Sequence, residues 1–412
     1  MIYGLIGEHL GHSFSAEIHA RLGEEPYELK ELAPEEVPVF LRQGDFKGIN
    51  VTIPYKQTVM PFLDEISETA RAIGAVNTIV RRDGKLYGGN TDAAGLEMLL
   101  LRTGADFKGK KVLVLGTGGT SKTAVYVARK LGAAQVIRVS RTAREGAVTY
   151  AQAAGEHADA QVLINTTPCG MYPHPDECAV DPDLFPKLEA VADAVYNPLR
   201  TNLVLEARKR GIPAEGGLFM LAAQAVRAAE AFRGITYPAG TAEKIYKELL
   251  REKENMVLVG MPGSGKSTVS AALQETTGRP AVDTDALIEA KAGKTIPEIF
   301  REDGETAFRD LESEVIAEIS ARGGQIIATG GGAVLRPGNV NALKRNGRLI
   351  LLERPADTLV PTADRPLADT REKMDRLWRE REPVYRACAD CTVRLDGTPE
   401  EAAREAESRW QQ

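Results

Sequence analysis

No run of ~18 consecutive apolar residues occurs in this chain of 412 residues, so no membrane-spanning helix is expected. Cysteine is scarce, four in all, as in proteins kept in a reducing compartment. Cys388 and Cys391 form a C-x-x-C, but no second pair lies near them and the motif runs into the strand-like CTVRLD. A redox C-x-x-C opens a helix after a strand, so ordinary packing is expected here. His12 and His19 have no third ligand nearby in sequence, too few for a metal centre. There is no excess of positive charge: 52 Lys and Arg are scattered among 58 Asp and Glu, for a net charge of -6. Without a basic stripe to track phosphates, no nucleic-acid partner is expected. The N-terminal MIYGLIGEHL has neither a basic n-region nor a cleavage site, so a cytoplasmic protein is expected. Composition sets no oligomeric state.

What is present is apolar material for several cores, 43% of residues against 27% charged. Strand-like runs (IYGLI, KGINVTI, KVLVLG, QVIRVS, QVLINTT, VADAVY, MVLVG, QIIATGG and RLILLE) alternate with helical stretches throughout. That alternation predicts an α/β protein of parallel sheets covered by helices. The polar, helix-prone EKIYKELLREKEN leads directly into MVLVG with no Gly/Ser or Pro tether, so a short, stiff junction is expected there. A second boundary falls where TGADFKGKK precedes KVLVLG. The expected domains are 1–103, 104–255 and 256–412.

Two glycine-rich loops carry the chemistry. In KVLVLGTGGTSKTAVYVARKLGA a buried strand turns through Gly116, Gly118 and Gly119 into a helix, as in a dinucleotide site whose pyrophosphate rests on the helix N-terminus. Ser121 stands where G-x-G-x-x-G would place its third glycine. Ser140, Arg141 and Thr142 end the next strand, where an acid would bind a ribose 2'-hydroxyl. A guanidinium and hydroxyls suit a 2'-phosphate instead, favouring NADP over NAD.

The second loop, GMPGSGKST, fits G-x-x-x-x-G-K-[ST] and follows MVLV. Backbone N–H groups from Gly263 through Ser264 and Gly265 to Lys266 would cradle the ATP β-phosphate. Lys266 would reach the β- and γ-phosphates, Ser267 would ligate Mg2+, and Thr268 lies beside it. No N-K-x-D guanine signature appears, and the remaining chain is too short for most motor ATPases. A small-molecule kinase is therefore expected.

Residues 1–240 resemble shikimate dehydrogenases through an ordered set of motifs: GHSFS (11–15), NVTIPYK (50–56), AVNTIV (75–80), GGNTDAAG (88–95), NTTPCGM (165–171), DAVYNPLRT (193–201) and GGLFMLAAQA (216–225). The resemblance implies a substrate domain joined to a Rossmann NADP domain. It nominates Lys56 and Asp92 as the catalytic pair and Ser13 and Ser15 for a substrate carboxylate. Thr52, Asn77, Tyr196 and Gln224 would bind the other polar groups. Asn77 and Asn90 also suit turns, and Gln224 in an Ala-rich helix would need a partner if it faced the core. Ala16 and Ala20 depart from the family's usual proline and asparagine.

Residues 256 to about 405 resemble shikimate kinases, a P-loop, nucleoside-monophosphate-kinase-like α/β fold. The matching motifs are VDTDALIE (282–289), EIFREDGETAFRDLE (298–312), ATGGGAV (328–334), RPL (365–367) and REPVY (381–385). The resemblance implies that Arg309 and Arg381 bind the shikimate carboxylate and that Glu312 orients Arg309. Gly330, Gly331 and Gly332 would lie against the ring, Asp285 would accept from the reacting hydroxyl, Asp283 would hold the Mg2+ shell, and Arg365 would close over the phosphates. The stretch ERPADTLVPTADR is shorter than the family's lid and lacks its adenine-stacking arginine.

Together the motifs point to a bifunctional enzyme that reduces 3-dehydroshikimate with NADPH and phosphorylates shikimate with Mg-ATP. Two alternatives remain open: a quinate/shikimate dehydrogenase fused to a kinase for another polyol acid, and a regulatory protein in which one half only senses a ligand.

Overall fold

The computed structural model describes residues 2–10, 14–24, 26–354, 359 and 370–411. The chain divides into two compact units, Met1–Glu248 and Leu249–Gln412.

The first unit holds two six-stranded sheets. One contains β1 (Tyr3–Gly7), β2 (Tyr27–Glu31), β3 (Gly48–Val51), β4 (Glu65–Ile66), β5 (Thr78–Arg82) and β6 (Lys85–Gly89), in the order β2-β1-β3-β5-β6-β4. β1 runs parallel to β2 and β3, whereas β5 is antiparallel to both β3 and β6. This departs from the wholly parallel sheets that the apolar runs implied. For β5 and β6 the cause is local: Asp83 and Gly84 take φ of 49° and 76°, the paired left-handed conformations of a type I' hairpin turn.

The other sheet contains β7 (Lys111–Leu115), β8 (Gln135–Ser140), β9 (Val148–Thr149), β10 (Val162–Asn165), β11 (Ala190–Asp193) and β12 (Ala214–Glu215). Its order is β12-β11-β10-β7-β8-β9 and every pairing is parallel. The chain leaves β7 to one side and returns to its other side at β10. That reversal opens a crevice at the carboxyl ends of β7 and β10, where doubly wound sheets bind ligands. The buried Val112, Leu113, Val114 and Leu115 explain why β7 reads as an unbroken apolar run. The alanine-rich helix Leu218–Arg233 then packs against the helix Asp92–Arg102 and against β3 and β5, carrying Gln224 back to the first sheet.

The second unit is one parallel sheet of β13 (Asn255–Val259), β14 (Ala281–Asp283), β15 (Ile326–Ala328), β16 (Gly347–Glu353) and β17 (Cys391–Arg394), in the order β14-β15-β13-β16-β17. Successive side chains of β13 enter different cores. Val257 and Val259 join Ile299, Phe308 and Ile316, while Met256 and Leu258 join Val269, Leu273 and Trp410. Cys391 begins β17, and the buried Cys388 thiol lies 3.4 Å from the Tyr385 carbonyl. Among the described residues no group of three or more His, Cys, Asp and Glu side chains is placed to hold a metal, and no helix is long and apolar enough to cross a membrane.

Candidate active sites

A cavity of about 300 Å³ in the first unit gathers seven of the nominated residues from six separate segments. Ser15 opens the helix Ser15–Arg21, Thr52 and Lys56 follow β3, and Asn77 directly precedes β5. Asp92 begins the helix Asp92–Arg102, Tyr196 follows β11, and Gln224 lies within Leu218–Arg233. All seven line this one cavity. Ser13 lies outside the described residues.

Lys56 Nζ donates to Asp92 Oδ2 at 2.6 Å, and Asn77 Nδ2 donates to Asp92 Oδ1 at 2.9 Å. The carboxylate is thus held by a cation on one oxygen and an amide on the other. Its place in the first helical turn adds the favourable end of the helix dipole. Asn77 is oriented in turn by the Thr91 backbone N–H, 2.7 Å from Asn77 Oδ1. Burial raises the pKa of the Tyr196 phenol, keeping it a neutral hydrogen-bonding group. Gln224 Nε2 donates to the Leu221 carbonyl at 3.0 Å, and the Thr91 hydroxyl lies 3.4 Å from Gln224 Oε1. Its amide therefore has protein partners as well as a face on the cavity. Asn90 takes a turn role, donating to Ala75 O and accepting from the Ala93 N–H.

The dinucleotide loop leaves β7 at Gly116, whose φ of +114° suits only glycine. Nothing lies within 4 Å of where a Cβ would stand on Gly118 or Gly119, so the loop is open to a ligand at the helix Gly119–Lys130. Ser140 is buried at the end of β8, while Arg141 and Thr142 are exposed. Sequence reading missed Arg144, whose Nη1 donates to Thr117 Oγ1 at 2.9 Å and brings a second guanidinium to the loop. A basic residue so soon after the strand end was the available signal.

Behind the crevice, the fully buried Asp193 accepts from Asn165 Nδ2 and the Val195 N–H, both at 2.9 Å, and from Thr201 Oγ1 at 2.6 Å. Burial lifts its carboxyl to about 7 despite these donors. The folded protein therefore binds this proton more tightly than the unfolded chain does. The group's stabilising contribution is complete below about pH 4 and is lost as pH rises through 7. Asp193→Asn keeps the shape and the one oxygen that accepts from both Asn165 and Val195, and its amide can donate to Thr201 Oγ1. It should raise the melting temperature of the first unit at pH 8 by roughly 2–4 °C, the shift that about 1 kcal/mol produces, with no gain at pH 4. Differential scanning calorimetry at the two pH values checks this; an equal shift at both would refute it.

The second unit holds a cavity of about 800 Å³. Between β13 and the helix Lys266–Thr277, Gly263, Gly265, Lys266, Ser267 and Thr268 line its phosphate-loop end. Ser264 Oγ is buried there, with no hydrogen-bond partner among the described residues. Lys266 Nζ donates to Met261 O at 2.8 Å and Gly260 O at 3.0 Å, and Ser267 Oγ donates to Asp283 Oδ2 at 2.9 Å. Asp283 also caps the next helix, accepting from the Asp285 N–H at 2.9 Å.

At the other end, Asp285, Arg309, Arg381 and the Gly330–Gly332 backbone converge. Arg309 Nη1 donates to Glu312 Oε2 at 2.8 Å. Burial raises the pKa of the Glu312 carboxyl while Arg309 draws it down, so the pair is held by mutual need in a dry site. A Cβ on Gly332 would collide with the Arg309 guanidinium, so glycine here is a matter of space. Tyr385 OH donates to Gly331 O and pins the loop. Arg365 lies outside the described residues. Glu353, the acid ending LILLE, pairs with Arg386 and Arg394.

Comparison with known proteins follows the same division. The family model for the shikimate dehydrogenase substrate binding domain matches residues 5–79, and that for shikimate kinase matches 262–410. A shikimate dehydrogenase (NADP(+)) from Clostridium perfringens is 38% identical over 266 residues, covering 60% of this chain and 98% of that protein. A chorismate mutase/shikimate 5-dehydrogenase fusion from Clostridium acetobutylicum is similar at 36% identity and a TM-score of 0.56, covering 60% of this chain and 96% of that one. The Thermus thermophilus shikimate 5-dehydrogenase, solved with NADP(H) and shikimate, is similar at 31% identity and a TM-score of 0.54, covering 60% and 99%.

Proposed function

The chain belongs to the shikimate dehydrogenase family and also carries a shikimate kinase domain, and from that premise we propose that it catalyses two consecutive reactions. The first unit reduces 3-dehydroshikimate to shikimate with NADPH; the second phosphorylates the shikimate 3-hydroxyl with Mg-ATP. What supports this most is that the two cavities suit one molecule. Each pairs a reacting charged group, Lys56–Asp92 or Asp285, with donors for a polyhydroxylated carboxylate.

NADPH supplies a hydride when bound at the open Gly116–Gly119 loop, with Arg141 and Arg144 available to its 2'-phosphate. Ser13 and Ser15 hold the substrate carboxylate, and Thr52, Asn77, Tyr196 and Gln224 orient the ring hydroxyls. The Lys56 ammonium gives a proton to the carbonyl oxygen as the carbon is reduced. Asp92, fixed by Asn77, holds the lysine in place and favours its return to the charged form.

Mg-ATP supplies the phosphoryl group; its phosphates suit the N–H-lined loop and the orphaned Ser264 hydroxyl, and Mg2+ suits the paired oxygens of Ser267 and Asp283. Arg309 and Arg381 offer forked donors to the shikimate carboxylate. Asp285 takes the proton of the attacking hydroxyl, and Lys266 with Arg365 neutralises charge on the transferring group.

Mass spectrometry of one mixture, the purified chain with 3-dehydroshikimate, NADPH, ATP and Mg2+, should show shikimate 3-phosphate. Shikimate accumulating without its phosphate would overturn the kinase assignment, and no NADPH oxidation would overturn the first. Quinate in place of shikimate separates the quinate/shikimate alternative, since the present reading expects its turnover to be far slower.

A further inference from the structure

Behind the Lys56–Asp92 pair lies a buried polar chain of which the mechanism above uses only the last member, Asn77. Tyr27 OH donates to Asn50 Oδ1 at 2.7 Å. Asn50 Nδ2 reaches Asn77 O at 3.3 Å and Thr78 Oγ1 at 3.4 Å. Thr78 Oγ1 donates to Asn77 Oδ1 at 3.0 Å, with Thr91 Oγ1 also 3.1 Å away, and Asn77 Nδ2 donates to Asp92 Oδ1. The bonds from Tyr27 to Asp92 run in one direction, and Asn77 Nδ2 also donates to Thr91 Oγ1 at 3.0 Å. Aligned hydrogen bonds polarise one another in a low-dielectric interior, so the last donor is strengthened by those behind it.

The far end of the chain is anchored at some expense. Tyr27 stacks on His19 with ring centroids 4.0 Å apart and planes 6° apart. His19 Nδ1 lies 2.5 Å from Glu24 Oε2, and neither side chain is exposed. His19 Nε2 and Glu24 Oε1 have no partner among the described residues. Such a buried polar pair is weak evidence for stability and carries a desolvation cost. Here it presents a flat surface that fixes the tyrosine ring and aims its hydroxyl at Asn50. Tyr27 does not line the substrate cavity, whereas Asn50 and Asn77 do.

We propose that Tyr27 is a positioning residue for ketone reduction, acting through Asn50, Thr78 and Asn77 to hold Asp92 in register with Lys56. The inference rests on the dehydrogenase reading. Tyr27→Phe removes one hydroxyl and keeps the stacked ring. In the full-length chain it should lower kcat for 3-dehydroshikimate reduction about five- to tenfold, the scale of one lost hydrogen bond in a network. KM for 3-dehydroshikimate should stay within twofold. The solvent isotope effect on kcat should grow as proton delivery becomes limiting. Thr78→Val interrupts the same chain further along and serves if Tyr27→Phe folds poorly, with the stoichiometry of NADPH binding, which belongs to the first unit, reporting the folded fraction of that unit. The double variant should lose no more than the worse single variant, because both break one relay. Multiplying losses, a rise in KM with kcat unchanged, or wild-type kcat in both variants of an active enzyme would overturn the inference alone. An inactive wild type would overturn the functional reading and the inference with it.

Discussion

Lys56→Ala should lower 3-dehydroshikimate reduction by about 10³-fold, within the range for loss of a positioned general acid and equivalent to about 4 kcal/mol of barrier. The side chain is the cation on Asp92, at 2.6 Å, in a pocket whose other polar lining is hydroxyls, amides and the imidazole of His9. Among the described lining residues no other lysine or arginine is present to take over. Asp92 keeps its bond from Asn77 in the variant, so the pocket retains its shape and substrate binding should change far less than turnover. Steady-state NADPH oxidation checks this, with shikimate phosphorylation by the same sample as the control. Retention of reduction within tenfold of wild type would remove Lys56 from the chemistry.

Lys266→Ala should lower shikimate phosphorylation by roughly 10²–10³-fold, the scale on which one preorganised donor to a developing charge matters. Lys266 is mostly buried, and its ammonium is held by the carbonyls of Gly260 and Met261, at the loop the ATP phosphates would occupy. The alanine variant loses both the charge and the tether across the loop, so it should bind ATP more weakly as well as react more slowly. 3-Dehydroshikimate reduction should be unchanged, because the two reactions use cavities in different units. Coupled assays of both activities on one preparation give the answer. Parallel loss of both would mean that the substitution unfolds the chain, and retention of phosphorylation would sink the assignment.

Much of the architecture was legible because parallel strands buried on both faces leave continuous apolar runs. KVLVLG and MVLVG became β7 and β13 with little ambiguity. The short or polar strands were not legible. YELKE forms β2 at the edge of its sheet, with four of five residues exposed, and KLYGG forms β6 in a hairpin. Neither carries an apolar periodicity, and the Asp83-Gly84 turn that reverses the sheet is a two-residue signal between them.

The site divides in the same way. Loops that need glycine, a lysine or a hydroxyl at set spacing reveal themselves in sequence, because backbone geometry over a few residues dictates their chemistry. That is why Gly116, Lys266 and Ser267 could be nominated from the chain alone. Lys56, Asn77, Asp92 and Gln224, which line one cavity, were nominated only through a resemblance of motifs. Their meeting depends on a mixed sheet and a helix returning from residue 218, and no local rule encodes that. Arg144 on Thr117 and Tyr27 on Asn50 were missed for that reason: each contact joins elements more than twenty residues apart. Sequence by itself determined the α/β class and nominated the two glycine-rich loops and the reaction types they suit. Tertiary structure alone decided which polar side chains share a cavity and which stand behind them, because hydrogen-bond partners over such separations are chosen by packing and not by the order of residues.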